Sequence, residues 1–162
     1  MSGITLLVED PKWRTHRGLA ARLASAAEVA RKAARLKGGF TILLAGDRKL
    51  RMLNHDFRGK DKPTNVLSFP GGSLNGRTAG RFASAAAPGY AGDIALAYGV
   101  TKKEAKAAGK TMANHATHLV VHGVLHLAGH DHERPKEARA MEGLEVKILG
   151  RLGIADPYAA QP

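Results

Sequence analysis

The chain contains no cysteine in its 162 residues. This excludes a disulfide scaffold, a thiolate zinc finger, a Cys-ligated iron–sulfur cluster and a cysteine nucleophile, and leaves His, Asp and Glu as the side chains able to hold a metal. Long hydrophobic runs are missing as well. No window approaches the roughly 18 apolar residues that a bilayer-spanning helix needs, so no membrane partner is expected. The apolar stretch Ile4 to Val8 has no basic start and meets Glu9 and Asp10 without a cleavage site. It reads as a first strand and not as a signal peptide, and a cytoplasmic protein is the expectation. Acidic residues are few: 14 Asp plus Glu stand against 25 Lys plus Arg, a net charge of +11 and a pI near 10.3. That balance favours a polyanionic partner, although part of any such charge is ordinary solvated surface. A length of 162 residues with 44% hydrophobic content suits one packed domain over residues 1–162, with a flexible tail from about residue 153.

Along the chain, Trp13 to Leu36 is rich in Ala, Arg and Leu, with Leu19, Leu23, Ala26, Ala27 and Ala30 on one face, and reads as an amphipathic helix. Phe40 to Ala45 is a short apolar strand between glycines. A helix then follows through Leu50, Leu53 and Phe57, with Asp47 as its expected N-cap. Gly59 to Thr64 form a charged turn before a third strand, Val66 to Phe69, ended by Pro70. Gly71 to Gly92 turns to Gly, Ala, Ser and Arg and reads as a mobile loop, either a functional rim or a plain insertion. A fourth strand at Asp93 to Ala97 leads to helices near 100–108, 111–128 and 135–152, the last with Met141, Leu144, Ile148 and Leu149 inward.

What the chain has in unusual density is histidine. Six of its eight histidines fall between His115 and His132. His122, His126 and His132 follow the spacing H-x3-H-x5-H, with Gly129 between the second and third. Residues four apart lie one helical turn above each other, so His122 and His126 can aim at one ion, and Gly129 permits the left-handed turn that brings His132 back as the third ligand. Three neutral imidazoles leave a coordination position open, as in a catalytic site. The spacing equals that of the metzincin signature HExxHxxGxxH, but Gly123 stands where that signature has its general-base Glu, so its peptide-cleaving chemistry does not carry over. His115 and His118 project on the same side as His122 and suit supporting or substrate-side roles. Asp131 is a candidate to orient a ligand or act as base.

The same stretch, His122-Gly-Val-Leu-His126-Leu-Ala-Gly129-His130-Asp-His132, resembles the metal motif HGxLHLxGYDH of the YbeY family, bacterial endoribonucleases of ribosomal RNA maturation; it departs at His130, where Tyr is usual. A second signature of that family, LNxxFRxKDKPTDVLSFP, is matched from Leu53 to Pro70 with Asn65 in place of an aspartate, and its GDI strand is matched by Gly92-Asp93-Ile94. The resemblance implies an α+β fold, a small four-stranded mixed sheet flanked by about five helices, with the metal site at the C-terminal end of a central helix. It implies zinc on His122, His126 and His132, one ion, which nickel or another divalent metal could replace. It implies also that Arg58 is the catalytic, substrate-binding arginine of the same cleft. A guanidinium suits that role because it can hold a phosphodiester bidentately and stabilise charge growing on its oxygens. The competing role for Arg58 is a salt bridge to Asp56 or Asp61. Lys60, Lys62 and His118 are the further substrate-binding candidates.

The leading expectation is thus a zinc-dependent, single-strand-specific endoribonuclease acting in 16S rRNA 3′-end maturation, ribosome assembly and quality control, with single-stranded RNA, from small-subunit rRNA or the ribosome, as partner and not DNA. Water or the RNA 2′-hydroxyl is the attacking group. Two alternatives belong to other classes: an RNA- or ribosome-binding assembly factor with a structural metal, and a metallohydrolase acting on a non-nucleic substrate. Gly123 and the charge of +11 weigh against the last. Oligomeric state is not encoded in any of these features.

Overall fold

Two strands that are buried along their whole length organise the molecule. In the computed structural model, which describes residues 3–71, 73–74, 77–78, 89–130 and 133–159, β1 (Ile4–Val8), β2 (Phe40–Ala45), β3 (Val66–Pro70) and β6 (Gly92–Ala97) form one sheet in the order β1-β2-β6-β3. β2 and β6 are its centre and pair in parallel, β1 joins β2 in parallel, and β3 closes the other edge antiparallel to β6. Largely apolar sequence, interrupted by Thr41 and Asp93, fits such central strands, because helices cover both faces. A two-residue hairpin, β4 (Ser73–Leu74) with β5 (Arg77–Thr78), follows β3. The expected loop at 71–92 otherwise falls mostly on residues outside those described.

Alternation along the strands divides the core in two. Ile42, Leu44, Ile94 and Leu96 face α1 (Leu19–Ala33), α4 (Met112–Leu127) and α5 (Pro135–Arg151). Leu43, Ala45, Ala95 and Ala97 face the other way, toward Leu50 and Leu53 of α2 (Asp47–Arg58). α4 is the central helix, packed on β3 and β6 beneath it and on α1, α3 (Tyr98–Ala107) and α5 around it. The α+β fold with a four-stranded mixed sheet and five α-helices is as the sequence implies.

Two expectations need correction. The helix expected over 13–36 is two pieces: a 3-10 turn at Pro11–Thr15, then α1 starting after Gly18, whose φ of +76° breaks the helix. The break lets Trp13 turn inward, 2% exposed, where its Nε1 donates to the Ala45 carbonyl at 2.8 Å. Nor does Asp47 cap its own helix. The N-cap of α2 is Gly46, and the Asp47 carboxylate instead accepts from the Val100 amide at 2.9 Å, capping the start of α3.

Candidate functional site

α4 delivers the histidines. His122 and His126 lie one turn apart, and their Nε2 atoms approach to 3.0 Å. α4 stops where its spacing predicts: Gly129 has φ +95° and the His130 amide reaches back to the Leu125 carbonyl at 3.0 Å, the closing bond of a glycine-terminated helix. Asp131 and His132, the latter the expected third ligand, lie outside the described residues. Among the described residues no group of three His, Asp or Glu is placed to hold an ion.

The pair is nevertheless prepared for one. Glu145 of α5, wholly buried, takes His122 Nδ1 on its Oε1. A carboxylate only accepts, so Nδ1 carries a proton, and in the neutral imidazole the lone pair is then on Nε2, on the side of His126. Two nitrogens each about 2.0–2.1 Å from one cation stand about 3.3 Å apart at the tetrahedral angle, close to the observed separation, and two imidazoles, one of them backed by the Glu145 carboxylate, are a donor set that suits zinc or a similar divalent ion. His118 Nε2 reaches the other oxygen of Glu145 at 3.1 Å, and the Tyr158 hydroxyl donates to that same oxygen. Burial pushes the Glu145 carboxyl up, but its hydrogen bonds with His118, His122 and Tyr158 outweigh that and hold it at about 2.

Arg58 reaches the same place from the other side of the sheet edge. Gly59, at φ +70°, ends α2 directly after it. One cleft of about 550 Å³ is lined by Arg58, Asn65, Val66, Ser68 and Pro70 on one wall and by His122, His126, Gly129, His130 and Glu133 on the other. The two carboxylates nearest Arg58 in sequence are turned to other partners: Asp61 takes Arg51 in two bonds of 2.8 and 3.2 Å, and Asp56 is beside His55 at 3.3 Å, while Glu133 lines the same cleft as Arg58.

The remaining candidates sit as follows. Lys60 and Lys62 are exposed on the turn after α2 and do not line the cleft. His118 is turned onto Glu145, beneath His122, and does not line it either. His115 lies one step further along α4, bonded to Glu104 of α3 at 2.9 Å, and the same Glu104 oxygen accepts from Asn65 Nδ2 at 3.0 Å. Asn65 is therefore an amide where it must donate to a carboxylate. Gly123 faces the sheet, not the cleft: a Cβ there would stand 2.9 Å from Ile94 Cγ2 and 3.2 Å from Ser68 Oγ. A glutamate at that position has no room and no path to an ion. Glu145 and Tyr158 are absent from the sequence reading. A signal existed for the first, since Glu145 occupies the buried stripe Met141, Glu145, Ile148, Leu149 of an otherwise apolar helix face.

Known proteins resemble this chain over most of its length. The family model described as endoribonuclease YbeY matches residues 10–153. The endoribonuclease YbeY of Chelativorans sp. (strain BNC1) is 50% identical over 143 residues, covering 88% of this chain and 83% of that protein. That of Ruegeria pomeroyi is 43% identical over 163 residues, covering 98% and 99%. In fold, the solution structure of TM1509 from Thermotoga maritima superimposes with a TM-score of 0.56 at 23% identity, over 97% of this chain and 99% of that one. With the family match spanning nearly the whole chain and both signatures meeting in one cleft, the chain belongs to the endoribonuclease YbeY family.

Proposed function

We propose that this chain is a metal-dependent endoribonuclease that cuts single-stranded RNA during maturation of the small-subunit ribosomal RNA. The observation that carries the proposal is the meeting of Arg58 from α2 with His122 and His126 from α4 in one open cleft. The relatives named above are called endoribonucleases, which supports the reaction class. In this reading His122, His126 and His132 hold one zinc or similar divalent ion. Such an ion supplies Lewis acidity toward a phosphoryl oxygen or an attacking hydroxyl.

The chain's own residues do the rest. Arg58, whose guanidinium is not taken by Asp56 or Asp61, grips the phosphodiester and meets the charge that builds on its non-bridging oxygens. Glu145 keeps the His122 proton on Nδ1 throughout. The cleft is a groove between the C-terminal end of α4 and the edge strand β3. Lys60 and Lys62 extend the positive surface along that strand's backbone.

The test is cleavage of a ribosomal RNA 3′ precursor by purified Arg58→Ala and His126→Ala proteins, with metal content measured beside activity. Losing Arg58 is expected to slow cleavage at least about 100-fold with metal retained, the scale for removing one charge-stabilising donor. His126→Ala is expected to lose both metal and cleavage. Wild-type rates in both variants would assign the cutting to a contaminating nuclease, while tight, salt-sensitive RNA binding without products would make the chain a binding factor. Product ends identify the attacking group, since a 2′,3′-cyclic phosphate arises only from the 2′-hydroxyl.

A further inference from the structure

We infer that Tyr158 and Glu145 act together as a positioning device for His122, so that the segment after α5 sets how tightly the α4 histidines hold their metal. The inference rests on the metal reading above and goes beyond it, because neither residue lies in the cleft or in the histidine motif.

Glu145 is a fully buried carboxylate with three partners and no exposed surface. Its Oε1 faces His122 Nδ1, and its Oε2 is shared between His118 Nε2, at 3.1 Å, and the Tyr158 hydroxyl. Each partner must donate, because the carboxylate has nothing to give. Tyr158 comes from a stretch pinned in two ways: Ile154, 9% exposed, enters the main core, with its amide on the Leu149 carbonyl at 2.9 Å, and Asp156 Oδ1 accepts from the Tyr158 amide at 2.7 Å. The phenol ring then stands edge-on to His118, centroids 5.7 Å apart and planes at 88°. The stretch from about residue 153, expected to be a flexible tail, thus carries a side chain to the back of the histidine ladder.

The chemistry follows from the hydrogen-bond inventory. A charged Glu145 fixes His122 with its proton on Nδ1 and its lone pair on Nε2, the only tautomer that can ligate from Nε2. Oε2 would have a single donor, His118, if the phenol were absent, and the carboxylate could then rotate away from His122. Tyr158 supplies the second donor and locks that rotation. An amide at position 145 is nearly isosteric but can present N–H to His122 Nδ1, which pushes the imidazole proton to Nε2 and blocks the ligating atom. Outer partners of metal-bound histidines commonly change affinity by about 10- to 100-fold.

The experiment measures zinc affinity of the full chain by competition with a chromogenic chelator, for wild type, Tyr158→Phe and Glu145→Gln, with thermal unfolding of the metal-free proteins alongside. Glu145→Gln is expected to weaken zinc binding about 10- to 100-fold, and Tyr158→Phe by a smaller factor of about 3 to 10. Nitrogen NMR of the metal-free proteins reads the tautomer directly: His122 is expected to carry its proton on Nδ1 in wild type and Tyr158→Phe, and to shift toward Nε2 in Glu145→Gln. A purely structural role would lower the unfolding temperature and leave affinity and tautomer alone, which overturns the inference. So does a wild-type chain that fails to bind zinc. RNA cleavage is scored separately: a chain that binds zinc with this order of affinities but cuts no RNA refutes the proposed function and leaves the positioning device standing.

Discussion

Asp93 is a buried charge that nothing in the cleft explains. It lies fully buried on β6, on the face opposite α4, where Tyr90 donates to its Oδ1 while its Oδ2 has no hydrogen-bond partner. Thr41 in turn donates to the Tyr90 oxygen at 2.6 Å. Burial pushes the Asp93 carboxyl up to about 6, against the lowering pull of Tyr90. The sign of the consequence is fixed by that direction. A carboxyl whose value is raised on folding favours the native state while it is protonated in both states, and this contribution is lost as pH climbs through the folded value near 6. A shift of about two units corresponds to at most about 3 kcal/mol. Asp93→Asn, which keeps an acceptor for Tyr90 and removes the charge, is therefore expected to raise the unfolding temperature at pH 8 and to change it little at pH 4. An equal change at both pH values would show that the charge is not what burial penalises. Gly123 is a second single residue with a sharp consequence. An alanine normally stabilises a helix interior by about 1 kcal/mol over glycine, but here its Cβ would press on Ile94 at 2.9 Å. Urea unfolding of Gly123→Ala is expected to show a net loss of about 1–2 kcal/mol, the overpacking cost exceeding the propensity gain.

At the scale of elements, the Asp47 carboxylate ties two helices together, and the bond can be separated from ordinary capping. Because the carboxylate accepts from Val100 and not from its own first turn, Asp47→Ala is expected to cost about 1 kcal/mol and to speed amide exchange at the start of α3, leaving the start of α2 unchanged. The reverse pattern of exchange would restore the local cap. The example also marks the limit of what the sequence made legible. β2, β6 and α4 could be placed from their residues, since continuous apolar runs bounded by glycine, and a helix ended by Gly129, are local signals. The break between the 3-10 turn and α1 could not, because Ala, Arg and Leu continue across it and only Gly18 and the burial of Trp13 distinguish the two sides. In the site, His122 and His126 were readable from spacing on a single helix. Arg58 needed a resemblance, and Glu145 and Tyr158 needed the third dimension: they meet His122 and Glu145 across 23 and 13 residues of chain. Short-range patterns name the ligands of a site, whereas the groups that orient those ligands come from wherever packing brings a helix face close.

For the whole molecule, the question is how much of the +11 charge is spent on the protein itself. Some of it is: Arg31 pairs with Glu28, Arg51 with Asp61 and Lys49 with Glu9, and Arg22 donates to Asn114. No membrane-crossing use offers itself, since no helix among the described residues is long and apolar enough to span a bilayer. Arg58 differs from the paired arginines in position, for it faces the cleft while Asp56 and Asp61 are engaged elsewhere. If an RNA strand lies in that cleft, its phosphates release counterions and the logarithm of the affinity falls linearly with the logarithm of salt, by about 0.7 for each phosphate neutralised on a single strand. A solvated surface gives no such selectivity among its cations. The measurement is binding of a fluorescent single-stranded RNA across a salt series, in chelated, cleavage-silent protein. Arg58→Gln is expected to flatten the slope by about 0.7, and Arg31→Gln, whose charge is already matched by Glu28, to leave it nearly unchanged. Equal losses from both substitutions would mean that RNA senses only the summed charge of the molecule, and the cleft would lose its claim to be the place where the strand is held.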